Sequence, residues 1–345
     1  MPVRSLALAL SLALCAALAA TGASAQEVTL RFQHFVSPKS ANPTYFMQPW
    51  ADAIEEQSGG RIKVELYPAM ALGGKAPSQY DLIRDGVIDG GWVIPGYQPG
   101  RFPEAEALEL PFLMPKSGER ASAVAWEFTQ KHLMDDFADV HLIAAHMHGP
   151  GIVHKKGAPV ESVADFEGLR LRGPSRPATL LLERLGATPV GMPVPAFPEA
   201  LAKGVLDGGV ITWEMSPSLK LDELTDSHTD VAGDKALYNL YFIWAMNKAT
   251  YESLPDDLKA VIDANSGLMA SQWAGRAHDT GDVEGIETME QAGNVIATMS
   301  EDATEDLRAI GREVTEAWIA DVTARGLDGA ALVEDVRSMV ERAMN

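Results

Sequence analysis

Residues 82–92 read LIRDGVIDGGW, and residues 200–210 read ALAKGVLDGGV. Each begins as the end of an amphipathic helix. A glycine stops it (Gly86, Gly204), two apolar residues follow, and Asp89-Gly90-Gly91 or Asp207-Gly208-Gly209 leads into a strand-like run. Helix-Gly-strand joints are common and this match is short. Two such joints, one in each half of the chain, nevertheless predict two α/β lobes of similar design. Ligands of open α/β sheets sit beyond the carboxyl ends of the strands. The runs after each Asp-Gly-Gly are therefore candidate cleft walls.

The flanking sequence agrees. Val28 to Phe32 alternates as a strand that ends at Gln33-His34-Phe35. Pro43 to Glu56 is helix-like, with Phe46, Trp50 and Ile54 on one face, and Gly59-Gly60 stops it. Ile62 to Tyr67 is a second strand, and the order strand, helix, strand predicts a parallel unit. HLIAAHMHGPGIVHK, from His141 to Lys155, reads as a strand crossing between lobes, with Gly149-Pro150-Gly151 as a hinge. A second crossing is expected near Asn239 to Met246. Ser253-Leu254-Pro255-Asp256 has the spacing of a capping box. The periodic run behind it predicts one helix of about 35 residues, to about Gln291, long enough to span both lobes. Ala303–Ala324 and Asp328–Met344 predict two further helices. The expected division is lobe I at 26–147 plus about 236–275, and lobe II at 148–235 plus about 276–345.

Residues 1–25 have the form of a cleaved secretory leader. Arg4 precedes an apolar run from Leu6 to about Ala20, and Ala23-Ser24-Ala25 is a small-x-small cleavage site. Cleavage removes Cys15, the only cysteine, which excludes disulfides, cysteine nucleophiles and thiolate metal sites. It lowers Lys+Arg from 28 to 27 against 48 Asp+Glu, so the net charge moves from −20 to −21. Such a chain repels nucleic acid and anionic lipid. An anionic ligand would need a locally basic site.

No nucleophile elbow, phosphate loop, dinucleotide fingerprint or metalloprotease motif occurs, so no cofactor and no enzymatic activity are expected. The stretch FEGLRLRGPS (166–175) carries two arginines to weigh, Arg170 and Arg172, and Arg176 follows just past the turn. Leu169 and Leu171 alternate with Arg170 and Arg172 on a short strand that Gly173-Pro174 ends, which puts Arg172 at a carboxyl end. A guanidinium fork matches a carboxylate with two parallel hydrogen bonds. In so acidic a chain each arginine is equally a candidate for a surface or inter-lobe ion pair. Histidines cluster at 141, 146, 148 and 154. His146 and His148 share a strand face, which raises a metal-binding receptor or a periplasmic hydrolase as alternatives. Trp92 and Trp213, after the two joints, are candidate flat walls. His34, His148 and Tyr241 are candidate hydrogen-bonding groups.

The ordered set Leu66-Tyr67-Pro68 with Leu72-Gly73, Leu110-Pro111-Phe112, Asp165 to Arg172, Leu185 to Pro189, Asp207-Gly208 and Ser253 to Leu258 resembles the DctP-type solute-binding proteins of tripartite ATP-independent periplasmic (TRAP) transporters. The resemblance covers nearly the whole chain after the leader. It implies two α/β lobes joined by crossing strands and a long helix, and a cleft that closes on its ligand. It also implies a periplasmic location, small and large membrane permease subunits as partners, and an organic acid held by the arginine that matches Arg172. The sequence departs from the sialic-acid-binding pattern. Gly209 to Glu214 replaces an acidic-Asn-Pro run, His148 to Gly151 replaces a second arginine, and apolar residues near Trp92 to Pro95 replace an acidic pocket residue. The expected ligand is a less polar monocarboxylate, benzoate- or hydroxybenzoate-like.

Overall fold

The computed structural model describes residues 26–345, and the leader predicted over residues 1–25 lies outside them. Eleven strands are present among the described residues: β1 (Val28–Gln33), β2 (Ile62–Tyr67), β3 (Gly90–Val93), β4 (Val140–Met147), β5 (Gly151–Lys155), β6 (Arg170–Gly173), β7 (Thr188–Gly191), β8 (Gly208–Thr212), β9 (Ser227–Asp230), β10 (Tyr241–Asn247) and β11 (Val295–Thr298). They form two sheets, one per lobe, ordered β2-β1-β3-β10-β4 and β11-β9-β5-β8-β6-β7.

The two joints occupy the same place in the two sheets. β2-β1-β3 and β7-β6-β8 are both wholly parallel. Helices Gln48–Gln57 and Gln79–Arg84 make the connections in lobe I; Arg176–Arg184 and Phe197–Ala202 make them in lobe II. Gly86 and Gly204 stop their helices at φ +69° and +68°, a left-handed turn that favours glycine. Asp89 then accepts from the backbone N–H of Arg31 at 2.8 Å, and Asp207 from that of Arg170 at 2.9 Å. In register, Gly91 faces Gln33 and Gly209 faces Arg172. The short sequence match thus marks a repeated β-α-β-α-β unit.

Several connections join the lobes. β4 lies in the first sheet and β5 in the second, so the hinge at Gly149-Pro150-Gly151 is where the chain crosses. On the return, the backbone N–H of Gly151 donates to Tyr238 O at 3.1 Å just before β10. The helix Leu268–Ala292 packs on the helix Gly118–Phe128 and β4 in lobe I, and on Leu221–Leu224 and β11 in lobe II. Phe46, Trp50 and Ile54 are fully buried as expected, and Trp50 meets Trp244 edge-on at 5.7 Å. Burial of each such side chain contributes about 1.5–3 kcal/mol.

Three expectations are corrected. The 35-residue helix is two helices, Asp256–Ala264 and the 25-residue Leu268–Ala292. Asn265-Ser266-Gly267 breaks it: Gly267 has φ +83°, and its N–H donates to Ile143 O of β4 at 2.8 Å. No capping box forms at Ser253. Its hydroxyl donates to Thr250 O within the preceding helix, and Pro255 occupies the cap position. Residues 276–345 do not all go with lobe II. The helix Gly329–Met344 packs on Gly118–Phe128 of lobe I, burying Leu332, Val336, Met339 and Val340. Among the described residues no helix is long and apolar enough to cross a membrane.

Candidate ligand-binding site

The elements that carry the repeat bring Arg172 of lobe II against aromatic side chains of lobe I. Between them is a small cavity of about 30 Å³. Phe35, Trp92, Tyr97 and Phe242 line it from lobe I; Arg172, Ile211, Thr212, Glu214 and Met215 line it from lobe II; His148 and Tyr238 sit at the crossings. Trp92 is the centre of the apolar wall. It stacks on Phe35 at 4.9 Å and on Phe242 at 4.7 Å, with rings within 10° of parallel. Its indole N–H donates to His146 Nε2 at 2.8 Å, which fixes the plane of the ring.

Arg172 is fully buried. Its Nε donates to Met192 O at 3.0 Å and its Nη1 to Val210 O at 2.9 Å, both in lobe II. Nη2 is sheltered from solvent and has no partner. Among the described residues no carboxylate pairs with this guanidinium. A buried charge left unpaired costs several kcal/mol, so the arrangement suits an anion brought from outside. The other two arginines are already occupied. Arg170 is exposed and forks onto Asp207 at 3.0 and 2.6 Å. Arg176 bridges Glu106 and Asp321 across the lobes.

Three of the six residues expected at the site, Arg172, Trp92 and His148, line the cavity together. His148 is neutral: its Nε2 accepts from Leu240 N–H at 3.0 Å, its Nδ1 donates to Gly149 O at 2.7 Å, and burial pushes its pKa down to about 3. His34 is buried beside Phe35 and Val36 without lining the cavity, and burial lowers its pKa to about 4. Tyr241 is a correction. Strand alternation turns it to the far face of β10 while Leu240 and Phe242 reach the cavity, and its hydroxyl meets Thr129 Oγ1 at 2.7 Å. Trp213 is also a correction. It turns into lobe II against Ile152 and Met289, edge-on to His154, while its neighbours Thr212 and Glu214 reach the cavity.

Tyr97 and Glu214 were not singled out by sequence. Tyr97 follows β3, and its hydroxyl accepts from Val194 N–H of lobe II at 3.0 Å, which joins the lobes over the cavity. Burial raises its phenol pKa, and the Arg172 guanidinium offsets part of that. His146 and His148 each spend Nε2 on an N–H donor, and no group of three or more His, Cys, Asp or Glu among the described residues could hold a metal ion.

The fold has counterparts in solved proteins. One is a marine metagenome TRAP solute-binding protein, from an unidentified microbe, specific for aromatic acid ligands and co-crystallised with 3-hydroxybenzoate. It is 43% identical, covers 93% of this chain and 100% of its own, and has a TM-score of 0.91. Another, from Rhodoferax ferrireducens T118, holds copurified benzoate; it is 42% identical over 92% of this chain and 98% of its own, with a TM-score of 0.89. In sequence, the outer membrane transporter protein TsaT of Comamonas testosteroni is 25% identical over 91% of this chain and 92% of its own. Residues 32–321 match the family model DctP, bacterial extracellular solute-binding protein, family 7. The chain therefore belongs to the DctP family of TRAP solute-binding proteins.

Proposed function

We propose that this protein is a non-enzymatic periplasmic receptor that captures a small aromatic monocarboxylate, benzoate- or hydroxybenzoate-like, and passes it to the small and large membrane subunits of a TRAP transporter. The observation that carries the reading is the buried Arg172 guanidinium, with Nη2 unpartnered, facing a stacked aromatic wall. A carboxylate on Nη2 would neutralise it, and a flat ring would lie against Trp92 and Phe242. The relatives that hold benzoate and 3-hydroxybenzoate support the same ligand class.

Export would follow removal of residues 1–25. In this reading lobe I is 26–147 plus about 236–275, joined by the terminal helix Gly329–Met344. Lobe II is 148–235 with the segment from about 276 up to that helix. The test is calorimetric titration of the mature protein with benzoate, hydroxybenzoates, and aliphatic and keto acids. Aromatic monocarboxylates should bind and raise the melting temperature, by about 2.7 kcal/mol of stabilisation at a hundredfold excess over Kd. Arg172→Ala should remain folded and lose the binding. Unchanged binding by Arg172→Ala would sink the anchor, and selective binding of aliphatic acids would sink the ligand class.

A further inference from the structure

The cavity contains a second unpaired group. Glu214 follows β8, its side chain is 3% exposed, and it lines the same cavity as Arg172. Its Oε1 accepts from Thr212 Oγ1 at 3.2 Å and meets His278 Nδ1 at 3.0 Å. Its Oε2 is sheltered from solvent and has no partner.

Asn42 determines which way the histidine points its proton. Asn42 Nδ2 donates to Ala274 O at 3.2 Å, which only the amide NH₂ can do, and lies 3.1 Å from His278 Nε2. His278 Nε2 is therefore the acceptor, its proton sits on Nδ1, and that proton goes to Glu214 Oε1. This holds the carboxyl group with Oε2 left over as an acceptor. One cavity thus carries one unmatched donor, Arg172 Nη2, and one unmatched acceptor, Glu214 Oε2.

We propose that Glu214 sets specificity by accepting a hydrogen bond from a hydroxyl on the ligand's ring, so that the receptor selects hydroxylated aromatic monocarboxylates over the unsubstituted acid and over aromatic dicarboxylates. This rests on the aromatic-acid reading above. An unsubstituted ring would desolvate Oε2 and leave it unpaired, a loss that a site built for a hydroxyl converts into discrimination. A second carboxylate would bring another acceptor and a like charge to the same oxygen. Glu214 also orients the ligand, since the carboxylate is drawn to Arg172 and repelled from the Glu214 end.

The experiment is calorimetric titration of the mature protein with benzoate, 3-hydroxybenzoate, 4-hydroxybenzoate and isophthalate. Wild type should bind one of the hydroxybenzoates at least about tenfold tighter than benzoate and should reject isophthalate. Glu214→Gln, nearly the same shape, should shrink that ratio and admit isophthalate. Glu214→Leu should abolish the ratio while benzoate binding persists or tightens. Melting curves check that each variant folds, and if the leucine variant does not, the glutamine variant decides. Equal wild-type affinity for benzoate and both hydroxybenzoates overturns the proposal. So does a hydroxyl preference that survives Glu214→Gln unchanged. Failure of every aromatic acid to bind wild type would instead overturn the ligand class on which the proposal rests.

Discussion

Gln33 in lobe I and Arg172 in lobe II hold the same position in two copies of one unit. Each follows an arginine tied to the aspartate of its joint, and each faces the second glycine of Asp-Gly-Gly. Their side chains end differently. Gln33 is saturated: Nε2 donates to Gly73 O and to Gln79 Oε1, and Oε1 accepts from Leu72 N–H at 2.7 Å. Arg172 commits two of its nitrogens to carbonyls and leaves the third, Nη2, without a partner. The scaffold is shared, and on the function proposed above the site arises in the copy where the buried group is charged and left incomplete. In lobe I the same position glues a loop to the sheet.

The largest effect should come from giving lobe II the lobe I residue. Arg172→Gln removes the charge but keeps a polar end, and should weaken aromatic-acid binding at least about a hundredfold, the cost of deleting one partner of a buried charged pair. The unliganded protein should be no less stable, because an unpaired buried charge has gone. A lowered melting point without ligand would break the contrast with Gln33. The reverse dissection is Gln33→Leu. It orphans the Leu72 N–H and should cost about 1–3 kcal/mol of stability in chemical denaturation while leaving ligand affinity unchanged. An affinity loss there would mean that both copies serve the ligand.

The smallest effect concerns pH. The hydrogen bond from Arg170 holds the Asp207 carboxyl below its usual value of 3.8. A carboxyl whose folded pKa is depressed adds stability that is present above its unfolded pKa and lost as the pH falls through the folded one. Asp207→Asn should therefore flatten the decline in melting temperature below about pH 3.8 and leave neutral-pH ligand binding intact. An unchanged acid limb would remove this pair from the stability of the joint.

Sequence reading was strongest where periodicity and turn chemistry agree. The strand, helix and strand from Val28 to Tyr67, both joints and the Gly149-Pro150-Gly151 crossing fall where their residues put them. It failed on which way side chains face in β10 and just after β8. Both strands are buried along their whole length, so the polar-apolar alternation that would mark a cavity face is missing. Tyr241 and Trp213 were therefore free to be assigned to the wrong side. The helix break at Asn265 to Gly267 was hidden because apolar periodicity resumes on both sides of it. Glu214 gave no local signal, because its partner His278 lies 64 residues away and Asn42 is further still along the chain. Arg172 was distinguishable from Arg170 and Arg176 only by resemblance, since what separates them is the acids that occupy the other two.

The two carbonyls that grip Arg172 both belong to lobe II, whereas Phe35, Trp92 and Phe242 belong to lobe I. A ligand held by its carboxylate would therefore ride with one half of the molecule while the other half comes and goes as a lid. Recognition would then have an order in time. The half-open receptor would take any monocarboxylate that reaches the arginine, and the aromatic lid would sort these visitors as it shuts. Departure would run backwards: parting the lobes would strip the ring of its stacking first and let water reach the ion pair last. On the function proposed above, the step left to a membrane partner would be the lifting of the lid, after which solvent could loosen the arginine's hold.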